Sequence, residues 1–307
     1  MRIVTLTLNP ALDKSASVDQ VVPERKLRCG QPRFDPGGGG LNVARAVKIL
    51  GGEARALWTK GGHSGEMMHR LLDDEEVPHS PIPIADMTRE NLIVYENVTG
   101  LQYRFGMPGP ILTEADARAC LEAVARLDAD AEFLVISGSL PPGVPDDFCA
   151  AIARCAPAGC KVVLDTSGEG LRRGLECPMY LIKPNLRELG QLAGEEIHED
   201  RDIVRAARAV IDAGRAEVVF VSIGRGGALL VTREQVEHVR APTVPIRSKV
   251  GAGDSTVAGF VLSLSLGRAL REAARFAVAA GAAAVMTEGT TLCRREDTER
   301  LYAEMAG

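Results

Sequence analysis

The chain has 307 residues, a formal net charge of −5 and 25% charged side chains. That length buries a substantial core without staples, and Lys and Arg alternate with Asp and Glu, which argues against a basic field for nucleic acid. Seven cysteines, an odd number with no CxxC pair, argue against a disulfide framework and leave structural zinc without support.

From the N-terminus, Ile3 to Leu8 reads as a buried strand, short and β-branched, and not as a signal peptide. The segment Asp13 to Phe34 is poor in helix signal. At Gly37 a glycine run enters a helix whose Val43, Val47 and Leu50 share an apolar face, and a glycine-rich loop leading into a helix is a first candidate for ligand binding. Between 86 and 107, NLIVYENVTGLQYRFG reads as two extended segments around a turn at Thr99 and Gly100. The expectation is a small β lid made from 13–34 and 86–107, with 1–12, 35–85 and 108–307 forming the main α/β domain.

After Ala115 a repeating pattern follows: a helix, a strand at 133–139, a helix near 146–157, a strand at 161–167, YLIKPN at 180–185, helices from Leu186 and over 201–213, and a strand at 217–224. Buried strands alternating with helices predict a largely parallel sheet covered on both faces. Beyond Gly253, Ala258, Val261 and Leu262, then Ala273, Phe276, Ala277 and Ala280, give helical faces of small side chains, suited either to close helix packing or to approaching a nucleotide. No stretch reaches the roughly 18 uncharged apolar residues of a membrane span, so neither membrane nor nucleic acid is expected as a partner and the expected location is the cytoplasm.

The sharpest local signal is KVGAGDSTVAGF at 249–260. Gly251, Ala252 and Gly253 precede Asp254 at a helix start, where backbone N–H groups and the helix terminus favour an anion. Asp254 can take a proton from a substrate hydroxyl beside that cradle. The plainer reading makes Asp254 an N-cap and the glycines a tight turn; both stand. The segment lacks the lysine of GxxxxGK[ST], and the early glycine run does not fit GxGxxG, so with Asp13 nearby it suits a sugar better than a dinucleotide. In KPNLREL at 183–189, Asn185 and Glu188 suit a hydrated Mg²⁺, or equally a capping box.

These pieces, with TLTLNPALD, PGGGGLNVARA, YRFGMPG, ISGSLPPGV, VSIGRGGAL and EGTTLC, make the chain resemble the ribokinase-like carbohydrate kinases (the PfkB family) over most of its length, and within them the branch acting on fructose 6-phosphate. The resemblance implies a mostly parallel central sheet flanked by helices, with a small β-sheet lid. It implies Asp254 as base with Gly251, Ala252 and Gly253 as anion hole, and Lys183, Asn185, Glu188, Ser222, Gly224 and Gly227 on the side of ATP and Mg²⁺. Asp13, Gly38, Gly39 and Asn42 fall to the sugar, and Lys26, Arg89, Arg104 and Ser139 to the phosphate it already carries. Any one of these cations, taken alone, reads as a solvated surface residue.

The implied reaction is ATP-dependent phosphorylation of fructose 6-phosphate at its 1-hydroxyl, with tagatose-6-phosphate kinase or 1-phosphofructokinase as alternatives inside the same family. A homodimer through the lid and a K⁺ ion near Thr287 are further implications. A non-enzymatic sensor on this fold would have lost the base, and Asp254 is present. The glycine pattern fits a dinucleotide oxidoreductase poorly.

Overall fold

The computed structural model describes residues 2–305. The first half of the chain runs β1 (Ile3–Thr7), β2 (Ala11–Val18), β3 (Arg33–Gly37), α1 (Gly39–Ile49), β4 (Ala54–Lys60), α2 (Gly62–Asp74), β5 (His79–Pro83), β6 (Arg89–Glu96), β7 (Gln102–Gly106), α3 (Glu114–Ala125) and β8 (Phe133–Ser137). The second half follows with α4 (Phe148–Arg154), β9 (Lys161–Asp165), α5 (Gly168–Gly174), β10 (Met179–Ile182), α6 (Leu186–Ala193), α7 (Asp200–Asp212) and β11 (Ala216–Ser222). It closes with β12 (Ala228–Val231), β13 (Val236–Val239), α8 (Ala252–Ser265), α9 (Leu270–Val285) and α10 (Arg295–Glu304).

Nine strands form the main sheet in the order β13-β12-β11-β10-β9-β8-β1-β4-β5. Pairing is parallel from β11 to β5 and antiparallel at β12 and β13. Successive side chains leave a strand on opposite faces, so each strand feeds two cores. Ile3, Phe133 and Val135 join α1, α8 and α9 on one face, while Val4, Leu6, Leu134 and Ile136 join α3, α4 and α7 on the other. Continuous apolar runs are therefore needed, and the expected parallel α/β architecture is what forms. Truncating the fully buried Phe133 to Ala would cost about 3–5 kcal/mol.

The chain visits β4 and β5 on one side of β1 and then crosses to β8 on the other. This reversal opens a crevice at the carboxyl ends of β1 and β8, where ligands of open α/β sheets bind. Gly39 and Gly40 let the start of α1 sit in that crevice, since a Cβ on Gly40 would come within 2.6 Å of Leu6 O and one on Gly39 would strike Ser137 and Gly138.

Strands β3, β2, β6 and β7 form a separate sheet in that order, with β2 and β6 parallel and the other pairs antiparallel. The small residues of α8 and α9 pack helix on helix: a Cβ on Gly259 would lie 3.0 Å from Ala280 Cβ and 3.1 Å from Ala277 Cα. Three differences from expectation are local. The helix expected near 146–157 is confined to Phe148–Arg154, and the short α5 and the hairpin of β12 and β13 carry too little periodicity to be read from sequence. Among the described residues, no helix is long and apolar enough to cross a membrane.

Candidate active site

Gly251 adopts φ 72° and is the N-cap of α8, which places Asp254 in the first turn of the helix. The reading of Asp254 as an N-cap is thereby overturned: its carboxylate is free of capping duty. Instead Oδ2 accepts a 2.9 Å hydrogen bond from Asn42 Nδ2 on α1. Arg45, one turn further along α1, donates to Asn42 Oδ1 at 3.3 Å and to Glu75 through Nε and Nη2, both at 2.6 Å. Because Arg45 can only donate, it fixes the Asn42 amide with its nitrogen toward Asp254. Burial, and next the charge of Asp165, push the Asp254 carboxyl up to about 6, against the opposing pull of Asn42, Lys183 and Arg45.

Beneath the same turn lies Lys183, 8% exposed, its Nζ 3.0 Å from Asp165 Oδ1. A Cβ on Gly253 would stand 3.6 Å from that ammonium, so the turn and the lysine share one space. Burial acts to lower the Lys183 pKa, but the Asp165 charge and hydrogen bond, with Glu188 and Asp254 beyond, outweigh it and hold the ammonium above its ordinary range. An N-terminal helix turn with a charged lysine below it is a site for an anion.

Asn185 and Glu188 form a capping box at the start of α6: Asn185 Oδ1 accepts from Glu188 N and Glu188 Oε2 from Asn185 N, both at 2.9 Å. The capping reading therefore holds. It leaves Glu188 Oε1 outside the box, and hard oxygens of this kind fit a hydrated Mg²⁺. Asn185 also bridges to Ser222 at the end of β11, bringing the turn of Gly224 and Gly227 beside the Lys183 loop. Gly227, at φ 95°, abuts the backbone of Val239 and Ala241, where no side chain fits.

On the other side of Asp254, the small sheet sorts its residues by the period of two. Asp13 pairs with Asn91 and Asp35, Ile93 with Arg104, and Ala11 with Arg89, so Asp13, Asp35, Arg89, Asn91 and Arg104 share one face. Asn91 Nδ2 donates to Asp13 Oδ1 at 2.8 Å. Burial raises the Asp13 carboxyl, opposed by the Asn91 bond and the charges of Arg104 and Arg89. Arg89 donates to Asn9 O at 3.1 Å and to Met107 O at 3.2 Å.

Asn9, at the carboxyl end of β1, was not legible as a site residue. It is 6% exposed, its Nδ2 donates to Ser139 Oγ at 3.0 Å, and its own carbonyl holds Arg89. Asn9 Oδ1 and Arg89 Nε are buried without hydrogen-bond partners among the described residues. Gly38 (φ 117°) lies against Thr7 and Pro10 in the same crevice. Lys26 alone stays apart, on the exposed loop between β2 and β3. Asp165 and Arg45 were missed as well; the signals available were an acid at the carboxyl end of a parallel strand and an i, i+3 spacing from Asn42.

A family model described as pfkB family carbohydrate kinase matches residues 6–297. The chain belongs to that family. The kinase is 47% identical over 302 residues to the ATP-dependent 6-phosphofructokinase isozyme 2 of Mycobacterium tuberculosis, covering 98% of this chain and 89% of the relative. Crystal structures of phosphofructokinase-2 from Escherichia coli match it over 100% of this chain and 99% of theirs. The complex with potassium has 44% identity and TM-score 0.96, and the complex with fructose-6-phosphate has 43% identity and TM-score 0.94.

A His69, Asp73 and His79 cluster, with ligand atoms within 4.8 Å of one another, lies on α2 and β5. Trp58 Nε1 donates to His79 Nδ1 at 3.1 Å, which leaves His79 Nε2 as the protonated nitrogen, 3.1 Å from Asp73 Oδ1. A ring whose free nitrogen carries a proton offers no lone pair, so Trp58, His79 and Asp73 form a hydrogen-bond chain in which His79 gives a metal no ligand.

Proposed function

We propose that the kinase transfers the γ-phosphoryl group of ATP to the 1-hydroxyl of fructose 6-phosphate, giving fructose 1,6-bisphosphate and ADP. The observation that carries the chemistry is the place of Asp254: a carboxyl with a pKa of about 6, set between an anion-binding turn and the arginine-bearing face of the small sheet. The Escherichia coli homologue crystallised with fructose-6-phosphate supports the choice of sugar.

At neutral pH Asp254 is mostly ionised and accepts the proton of the 1-hydroxyl. The sugar oxygen forms its bond to the γ-phosphorus as the bond to the β,γ-bridging oxygen breaks, and ADP leaves. Backbone N–H groups of Gly251, Ala252 and Gly253, with Lys183 below, meet the charge spread over the transferring group. Asn42 holds the carboxylate in place. Asp13 takes sugar hydroxyls, and Arg89, Arg104 and Ser139 take the 6-phosphate, with Lys26 reaching in from its loop when the lid seats. Seating of the lid excludes water, which would otherwise compete as acceptor.

Glu188, and Asn185 through water, would hold Mg²⁺, which supplies charge neutralisation to the nucleotide phosphates. Ser222, Gly224 and Gly227 line the nucleotide side. Potassium belongs to the same reading, supported by the homologue's complex with it. Thr287 is buried, with its hydroxyl 2.7 Å from Ala284 O and 2.5 Å from Thr291 O, and it braces the turn there.

A homodimer through the lid is the proposed assembly. Leu92 and Phe105 are cross-strand partners on the face of the small sheet away from Asp13, 36% and 48% exposed. Such a pair on a sheet face favours a second copy.

A coupled ADP-release assay with Mg-ATP and equal concentrations of fructose 6-phosphate, fructose 1-phosphate, tagatose 6-phosphate and fructose tests the reading. The highest kcat/KM is expected with fructose 6-phosphate. Preference for another sugar phosphate would keep the mechanism and reject the substrate.

A further inference from the structure

Strand β3 and the segment after α9 meet in a junction that the transfer chemistry does not use. Asp35 is 4% exposed and its carboxylate is fully engaged. Its Oδ1 accepts from Arg33 Nε and Nη2 at 2.9 and 2.7 Å, and its Oδ2 accepts from the Thr290 hydroxyl at 2.8 Å across 255 positions of sequence. Arg33 Nη1 also reaches the Thr291 hydroxyl at 3.4 Å.

The segment carrying Thr290 rests in turn on the anion-binding turn. Ser248 Oγ donates to Gly289 O at 2.7 Å. Leu292 occupies the space over Gly251, where a Cβ would come within 2.6 Å of its side chain. Cys293 N donates to the buried hydroxyl of Ser255 at 3.4 Å, one residue past Asp254. At the other end, Asp35 is the direct register partner of Asp13 and points to the same face of the small sheet. Strand pairing from Asp13 to Asp35, the Asp35–Thr290 hydrogen bond and the packing of Leu292 on Gly251 thus connect the sugar end of the site to the donor end.

We propose that the Asp35–Thr290 hydrogen bond is a positioning contact that couples seating of the small sheet on the sugar phosphate to alignment of the Gly251–Gly253 turn, so that each substrate tightens binding of the other. This rests on the functional reading above, in which Asp13 meets the sugar and the turn meets the transferring phosphoryl group. A carboxylate oxygen this deeply buried keeps its donor only while β3 and the segment hold their separation, so a shift of the sheet is passed to Thr290 and on to Leu292 and Gly251. Coupling of this kind is reciprocal by thermodynamic necessity.

The test is the dissociation constant of the non-hydrolysable Mg-AMP-PNP, measured by calorimetry with and without saturating sugar phosphate, together with steady-state kinetics, for the parent, Thr290→Val, Asp35→Asn and Thr290→Ser. In the parent, the sugar phosphate is expected to tighten the nucleotide by about fivefold or more. In T290V and D35N the factor is expected to fall to within about twofold of unity, with kcat reduced, and in T290S, which keeps the hydroxyl, it returns.

A T290V enzyme that is less stable to heat yet keeps the parental factor would show a merely structural bond and overturn the proposal, as would an active parent with no coupling at all. If fructose 6-phosphate is not turned over, the substrate assignment fails by itself, and the same measurements made with the sugar phosphate that is turned over decide the coupling.

Discussion

Asn42 donates its side-chain amide to Asp254 Oδ2 at 2.9 Å across 212 positions of sequence, and Arg45 holds the other end of that amide. The bond selects one orientation of the carboxylate and favours its ionised form. Its strength is set against burial and against the charge of Asp165, both of which favour the protonated form. The outcome is a carboxyl that titrates near 6, basic enough to take a proton and still ionised at neutral pH.

The acid limb of the kcat/KM profile is therefore expected near pH 6. Asn42→Ala removes a donor that favours the carboxylate, so the limb moves to higher pH. A pH series of kcat/KM for the two enzymes checks this; an unmoved limb in N42A would separate Asn42 from the titration.

Asp254→Asn should lower kcat by about 10³-fold while leaving nucleotide affinity within about twofold. The same change should stabilise the fold. Because the folded-state pKa is raised from 3.8 to about 6, this group's contribution to stability is present at low pH and is lost as pH rises through about 6. D254N should then unfold at higher temperature than the parent at pH 8, by about 1–3 kcal/mol of stability, and nearly match it only near pH 3.5, below the unfolded-state value of 3.8. Thermal melts at the two pH values distinguish this from a uniform packing effect.

Arg104→Ala should raise KM for the sugar phosphate by about 10- to 100-fold, the worth of a charge-assisted hydrogen bond, with kcat less affected. Asn9→Ala should raise the same KM by about tenfold, because it removes the side-chain amide that donates to Ser139 while keeping the backbone carbonyl that holds Arg89. Neither change should alter KM for ATP by more than about twofold. An equal rise in both KM values would remove these residues from the sugar end.

Phe105→Glu places a charge on the exposed face of the small sheet, where Phe105 faces Leu92 across the strands. Sedimentation at micromolar concentration should show loss of a dimer present in the parent. A monomeric parent would remove the lid as an assembly surface.

Much of the fold was legible because it is written locally. The apolar runs at Ile3, Phe133 and Lys161 stand at strand length between helical periodicities, and no other arrangement buries both faces of such strands. The Gly251–Gly253 turn and the helix start at Asp254 were legible for the same reason, since a helix start carries its unpaired N–H groups wherever it is placed. Asn185 and Glu188 show the limit of local reading: their spacing fits a metal and a capping box equally, and only coordinates reveal that the box is made.

What the sequence determined by itself was the set of elements and the chemistry each terminus can offer, because hydrophobic period, turn residues and helix caps act within a few residues of one another. Which of those offers meet is settled by long-range packing. Asn9 with Ser139, Asn42 with Asp254 and Asp35 with Thr290 are separated by 130, 212 and 255 positions, and hydrogen bonds between such pairs leave no periodic trace in the chain. They exist because strand order reverses at β1 and β8, and because one face of a second sheet is folded back over that crevice.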